Sequence, residues 1–426
     1  MLADDTVAVT FSLMRLAPSG VSRNVTLLLL TSLLLGILYR NVWIGDMEWK
    51  GDQWTLFQGT QSSPSWPWVG MQSSVGLPNP GMSQWVFTAM APLFGLYEPL
   101  ALERAVMLMN SLAITLLVLF VLRLAEDQDR PAWLWAAALA PVNPGAVQLQ
   151  RVIWAQSVLP LFSLTTLFGW WNRHTRWGAF VWGAVGACLG QIHMSGFFFA
   201  GALALWTARF DRPPQVPRWR WWFLGSAIAA WPVIPWAAAV LGGPRGPQHY
   251  HLGLQFWSRW LGDVAGLETE RSLGRAGFIA WLGEPLWSGH RTFVVGTLML
   301  GSIVLAVVAI IGAARRLWPR RREWRELVGG TTSTGRVQNA AFLGFGLLVT
   351  LAGLRVYPHY LIVAFPLTYL WLARAALQLP QGRRLLGGIW VAHALLAAAF
   401  LVHIHVNGGS PGADYGVTHL HQTAGH

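Results

Sequence analysis

The string VTLLLLTSLLLGILYRNVWI, residues 25–44, runs straight into GDMEWKGDQ, residues 45–53. The first string is twenty mostly apolar residues, the length a helix needs to cross a hydrocarbon layer of about 30 Å. Arg15 and Arg23 precede it and no small-residue cleavage site follows, so it reads as a retained membrane helix and not as a removable leader. The second string holds Asp46, Glu48 and Asp52 within seven positions, beside Lys50, the only lysine of 426 residues. Carboxylates this close repel one another, so the group is costly unless a cation or a substrate sits among them.

Composition supports the membrane reading along the whole chain. Hydrophobic residues make up 54% and charged residues 11%, against about 25% charged in a soluble domain, and the mean hydropathy is +0.42. The net charge of +12 comes from arginines clustered between apolar runs. That pattern orients a membrane protein and argues against a nucleic-acid partner. The 27 tryptophans suit the membrane–water interface, where an indole buries its ring and keeps its N–H near water. Cys188 is the single cysteine, so an intrachain disulfide and thiolate metal clusters are excluded.

Apolar segments at 25–43, 100–123, 131–147, 152–171, 178–191, 194–208, 221–241, 292–313, 339–354, 358–376 and 385–405 predict about eleven crossings. The segment 83–97 reads as an interfacial or re-entrant helix. With the N-terminus in the cytoplasm, every inner connection is basic. These connections carry Arg123 and Arg130, Arg173 and Arg176, Arg209 to Arg220, RRLWPRRREWR at 315–325, and Arg374, Arg383 and Arg384. The expected fold is an all-α polytopic membrane bundle forming a single domain, 1–426, with short interfacial helices on its outer face. Its outer loops are 44–99 and 242–291, its basic cytoplasmic loop is 314–338, and its tail 405–426 lies outside.

Several chemistries are excluded. Lys50 stands in no glycine-rich phosphate loop, and no GxGxxG follows a strand. GxSxG and HExxH are also absent. Transfer of a group onto a hydroxyl needs a base near that hydroxyl and something cationic near a leaving phosphate. Asp52, Asp46 and Glu48 are the candidate catalytic acids, and Asp46 and Glu48 are also candidate ligands for a divalent ion such as Mg or Mn. A structural alternative for Asp52 is N-capping of a helix that starts at Gln53, with Trp54 and Phe57 on its membrane face. The loop GMQSSVGLPNPG, 70–81, is rich in turn residues, and its Ser73, Ser74 and Asn79 are placed to hydrogen-bond a sugar. Lys50, Gln53, Arg151, Gln156, His193, Arg355, His359 and Tyr360 complete the candidate substrate-binding set. Arginine is suited to phosphate by its planar fork. The pairs His249/His251, His403/His405 and His419/His421 match no standard metal spacing. A transporter or a flippase for lipid-linked sugars is the alternative function, although no internal repeat supports it.

Several of these motifs together resemble a family. Acids just after the first helix, the GLPNPG loop, PLALERAVMLMNSLAITLLVLFVLRL, QIHMSG, PHYLIVAFPLTYLWLA and the tail GADYGVTHLHQ look like the bacterial integral-membrane glycosyltransferases of the GT-C superfamily. Within it, they look most like the group related to protein mannosyltransferases and aminoarabinose transferases. The resemblance implies a GT-C-like fold in the bacterial inner membrane. It also implies a polyprenyl-phosphate sugar donor, a lipid, glycan or protein acceptor, and a site on the outer face under the first loop. By position, Asp52 is the first choice for the acidic residue that serves as base and Asp46 the second. Relatives often have Asp-Glu where this chain has Asp52-Gln53, which leaves Glu48 as the substitute second carboxylate.

Overall fold

The computed structural model describes residues 23–61, 66–73, 77–213, 216–243, 252–267, 269, 273, 278–279, 285–287, 290–291 and 293–424. Ser74, the pair His249/His251, Arg15 and much of the loop 242–291 lie outside the described residues. The chain is an all-α bundle with three two-stranded ribbons among the described residues.

Among the described residues, four helices are long and apolar enough to cross a membrane: α1 (Arg23–Asn41), α4 (Pro99–Leu124), Val294–Leu317 and Gly382–Asn407. Two bent pairs raise the number to six if each pair is one span: Trp219–Ala230 with Val233–Gly242, bent by 58°, and Pro358–Ala364 with Leu367–Leu377, bent by 79°. Pro232 and Pro366 sit at these breaks, where a missing N–H and a ring clash end a helix.

The other five expected segments appear as shorter or interrupted helices. The segment 131–147 is split into α5 (Arg130–Leu139) and α6 (Pro144–Leu149), because Asn143 caps α6 by accepting from the Ala146 N–H at 2.9 Å. The segment 152–171 becomes helical as α7 only at Leu159–Trp171, after a 3₁₀ turn at Ala155–Val158. Helices α8 (Arg176–Ile192) and α9 (Ser195–Phe210) fill 178–191 and 194–208. A π-helical stretch, Ala340–Phe345, interrupts 339–354. Helix α3 (Met82–Phe94) stands where the interfacial or re-entrant helix was expected.

Close helix approach is built from small residues, as membrane bundles require. A Cβ on Gly183 of α8 would lie 2.1 Å from the Trp222 carbonyl oxygen, and one on Gly225 would lie 2.3 Å from that of Phe180. At one end of α8, Asp211 accepts from Arg173 at 2.6 and 3.1 Å and from Arg336 at 2.8 Å, all three well buried. Toward its other end the chain forms the cleft described below.

Two segments far apart in sequence, the stretch after α1 and the C-terminal tail, close over this end. Glu48 forms a β-bridge with Thr418, and the His419 N–H donates to the Met47 carbonyl at 3.1 Å. The Tyr415 hydroxyl donates to the Asp46 carbonyl at 2.6 Å. The first loop and the tail, expected on one side of the membrane, are therefore packed together.

Candidate active site

The turn between α1 and α2 (Gly51–Gln61) is fixed from below by Arg151. Its guanidinium donates to the carbonyls of Tyr39 at 2.5 Å, Val42 at 2.7 Å and Trp43 at 3.2 Å. Trp43 is a non-glycine residue with φ +47°, a conformation that persists only when its surroundings over-determine it. Arg151, expected to bind substrate, is thus a buried strut: it is 2% exposed and outside the cleft lining. Replacing it with methionine is expected to lower the melting temperature of purified protein before it lowers transfer per folded molecule.

Past the turn, Glu48, Lys50, Gly51, Asp52 and Gln53 form one wall of a cleft of about 550 Å³. Gly145, Gln148, Leu149, Val152 and Trp154, then Tyr357, Pro358 and His359, and Asp414 of the tail complete the lining. A smaller chamber of about 110 Å³ adjoins it. Asp52, Trp154 and His359 line both spaces and so mark the passage between them.

Asp52 lies in the first turn of α2, not before it, because the Lys50 N–H is capped by Gln53 Oε1 at 3.0 Å. The capping expected of Asp52 is therefore done by Gln53, which is buried. Asp52 is exposed, and among the described residues its carboxylate has no hydrogen-bond or ion-pair partner. Trp54 faces outward, but Phe57 is buried against Trp49 and not on a membrane face.

Lys50 pairs with Glu48 at 2.5 Å and Asp414 at 3.6 Å, and also donates to the Asp414 carbonyl. Burial pushes the Glu48 carboxyl up to about 7, against the opposing pull of Lys50. Partial burial works against the Lys50 ammonium, yet the Glu48 and Asp414 carboxylates hold it above its usual range. The folded protein therefore keeps a proton on Glu48 that the unfolded chain loses near the ordinary glutamate value of 4.5. Stability is expected to fall as pH rises from about 4.5 to about 7 and to level off beyond. Melting curves of wild type and Glu48→Gln across this range test it, because the variant should lose that slope.

Asp46 is placed behind the cleft wall. It is 1% exposed, and its Oδ2 pairs with His405 Nδ1 at 2.7 Å, while the His405 ring stacks on Trp43 with centroids 4.2 Å apart. Among the described residues no group of three or more His, Cys, Asp or Glu side chains is arranged to hold a metal ion. Asp46 is occupied by His405 and Glu48 by Lys50, so these two do not fit the divalent-ion role expected of them. His403 and His421 make local bonds to Asn407 and Thr418.

The remaining expected residues divide between the two spaces. His359 sits between Trp154, at 4.7 Å, and Tyr357, stacked at 5.6 Å. Asn79, Gln156, His193 and Tyr360 line the smaller chamber, with His193 Nδ1 2.7 Å from Ser195 Oγ. Arg355 is exposed and lies over the Tyr357 ring at 5.1 Å, outside the cleft lining. Sequence reasoning missed Asp414, Trp154, Gln148 and Tyr357 as lining residues. Asp414 alone had a signal, as an acid in a chain with only 18 Asp and Glu.

No family model matches the chain, and no curated protein matches it. Among solved structures it is similar to the archaeal oligosaccharyltransferase AglB from Archaeoglobus fulgidus in complex with an inhibitory peptide and a dolichol-phosphate. That likeness has 13% identity and a TM-score of 0.45, and covers 93% of this chain and 56% of that one. It is also similar to ArnT from Cupriavidus metallidurans in the apo state, with 13% identity and a TM-score of 0.42, covering 88% and 77%. The chain spans little more than half the length of AglB.

Proposed function

We propose that this protein transfers a sugar from a polyprenyl-phosphate-linked donor to an acceptor hydroxyl on the outer face of the membrane, with Asp52 as base. The observation that carries the reading is the exposed Asp52 carboxylate, without a partner among the described residues, at the junction of the two spaces, in a bundle with four helices apolar enough to cross a membrane among the described residues. A base must reach the reacting proton unencumbered, and of the three acids after α1 only Asp52 is free of a partner.

In the proposed step the acceptor oxygen attacks the anomeric carbon and its proton passes to Asp52. The bond from that carbon to the phosphate oxygen breaks, and the lipid phosphate leaves with the electron pair. Lys50, as a cation in the cleft, and His359, as a hydrogen-bond donor at the passage, offset its charge. A single displacement inverts the anomeric centre, and a product with retained configuration would contradict it. Asp46 is paired with His405 and Glu48 with Lys50, so transfer is expected to continue in the presence of a chelator.

The test is a transfer assay on purified protein with radiolabelled polyprenyl-phosphate sugars. Label reaching an acceptor supports the reading. Lipid-linked sugar carried across proteoliposomes with no new glycosidic bond would replace it with the flippase alternative.

A further inference from the structure

The smaller chamber has a feature that the transfer reading alone does not explain. Two amide oxygens in its lining, Asn79 Oδ1 and Gln156 Oε1, are buried without a hydrogen-bond partner. The Asn79 amide is oriented by its own Nδ2, which donates to the Met71 carbonyl at 3.2 Å, so the oxygen is the atom left over. Gln156 is 6% exposed. An unpaired buried carbonyl costs about 1–3 kcal/mol, and two in one chamber are a standing demand for donors.

The ribbon that carries Asn79 is held in place from both sides. Strand β1 (Val69–Gln72) pairs antiparallel with β2 (Pro78–Pro80), the Gly81 N–H donates to the Trp68 carbonyl at 2.9 Å, and the Trp236 indole donates to the Pro78 carbonyl at 2.9 Å. Gln156 is fixed on the 3₁₀ turn before α7.

The lining also selects by charge. Among the described residues Asp52 is the one carboxylate of the chamber lining and neither Lys nor Arg joins it, whereas the main cleft holds Lys50 with Glu48 and Asp414. The chamber, with no cation among its described lining residues, therefore suits a neutral ligand rich in O–H donors. Trp154 and Tyr360 offer aromatic faces to the apolar side of a ring. At about 110 Å³ against about 550 Å³ for the cleft, the chamber suits one sugar ring and not an extended glycan.

We infer that this chamber is the subsite for the donor's sugar, that the sugar is a single ring, and that Asn79 and Gln156 accept hydrogen bonds from its hydroxyls. The inference rests on the transferase reading and adds the donor class and two specificity-determining residues. It puts the anomeric carbon at the passage, beside Asp52, with the lipid phosphate on the cleft side.

The experiment compares binding of polyprenyl phosphate alone, a panel of polyprenyl phosphates each bearing one sugar, and a polyprenyl phosphate bearing an oligosaccharide. Wild type, Asn79→Ala and Gln156→Met are each used as full-length purified protein. At least one single-sugar lipid is expected to bind about tenfold or more tighter than the bare lipid, as one hydrogen bond to a buried acceptor supplies. The oligosaccharide should gain nothing over the bare lipid. Gln156→Met and Asn79→Ala should each remove most of the gain and leave bare-lipid binding unchanged. Gln156→Met should also melt no lower than wild type without ligand, because it removes an unpaired carbonyl, and this separates lost recognition from lost folding. Equal gains in wild type and both variants, or an oligosaccharide donor bound and used as well as a single sugar, would overturn the inference while transfer itself stands. Failure to bind any polyprenyl phosphate would overturn the inference together with the transferase reading.

Discussion

Asp52→Asn is expected to reduce the turnover of sugar transfer about 100- to 10,000-fold, the range for losing a positioned general base, with donor affinity and melting temperature nearly unchanged. The amide keeps the shape of the carboxylate but cannot take the acceptor's proton. Asp52 has no partner among the described residues and is exposed, so the change falls among surface substitutions worth within about 0.5 kcal/mol. Asp46→Asn should behave in the opposite way. It removes the charge that pairs with His405 in a site 1% exposed, so the melting temperature should drop while the turnover of folded molecules is kept. Initial rates with labelled donor, normalised to folded protein, separate the two. Full transfer by Asp52→Asn would end its assignment as base, and loss of turnover in folded Asp46→Asn would move the role there.

The membrane class and the acids beside α1 were readable because both are local signals. Twenty apolar residues and three carboxylates in seven positions need no partner to be recognised. The breaks in the helices were readable in kind but not in place. Pro141, Pro144, Pro232 and Pro366 all lie inside or beside runs whose hydropathy looks continuous, and hydropathy counts side chains while proline acts on the backbone. The place of Arg151 was not legible for another reason. An arginine near an outer helix end has the same sequence appearance whether it meets phosphate or protein carbonyls, and the carbonyls of Tyr39, Val42 and Trp43 come from more than a hundred residues away. Asp414 entered the cleft rim only because the tail docks on residues 46–49 through backbone contacts, and no periodicity in either segment specifies that pairing.

Asp211→Asn is expected to be the most destabilising single change at the other end of the bundle. Asp211 is the shared partner of Arg173 and Arg336, with side chains 2%, 3% and 13% exposed respectively, and the Arg173 guanidinium also lies over the Trp170 ring at 4.0 Å. The attraction within such a group is largely offset by the desolvation of its members, so the intact cluster adds little net stability. Removing only the carboxylate is different, because it takes the shared anionic acceptor from two largely buried guanidiniums, at a cost of about 3–5 kcal/mol. The cluster is separated from the smaller chamber by the 17 residues of α8, about 25 Å at 1.5 Å per residue. Transfer per folded molecule should therefore be retained while the unfolding midpoint in detergent falls. Replacing all three charges with apolar residues of similar volume should restore most of the loss, since no uncompensated charge remains. If Asp211→Asn unfolds at the wild-type midpoint, the cluster does not hold α8, α9 and the 333–339 helix together. If the triple replacement is as unstable as the single one, packing and not charge sets their arrangement.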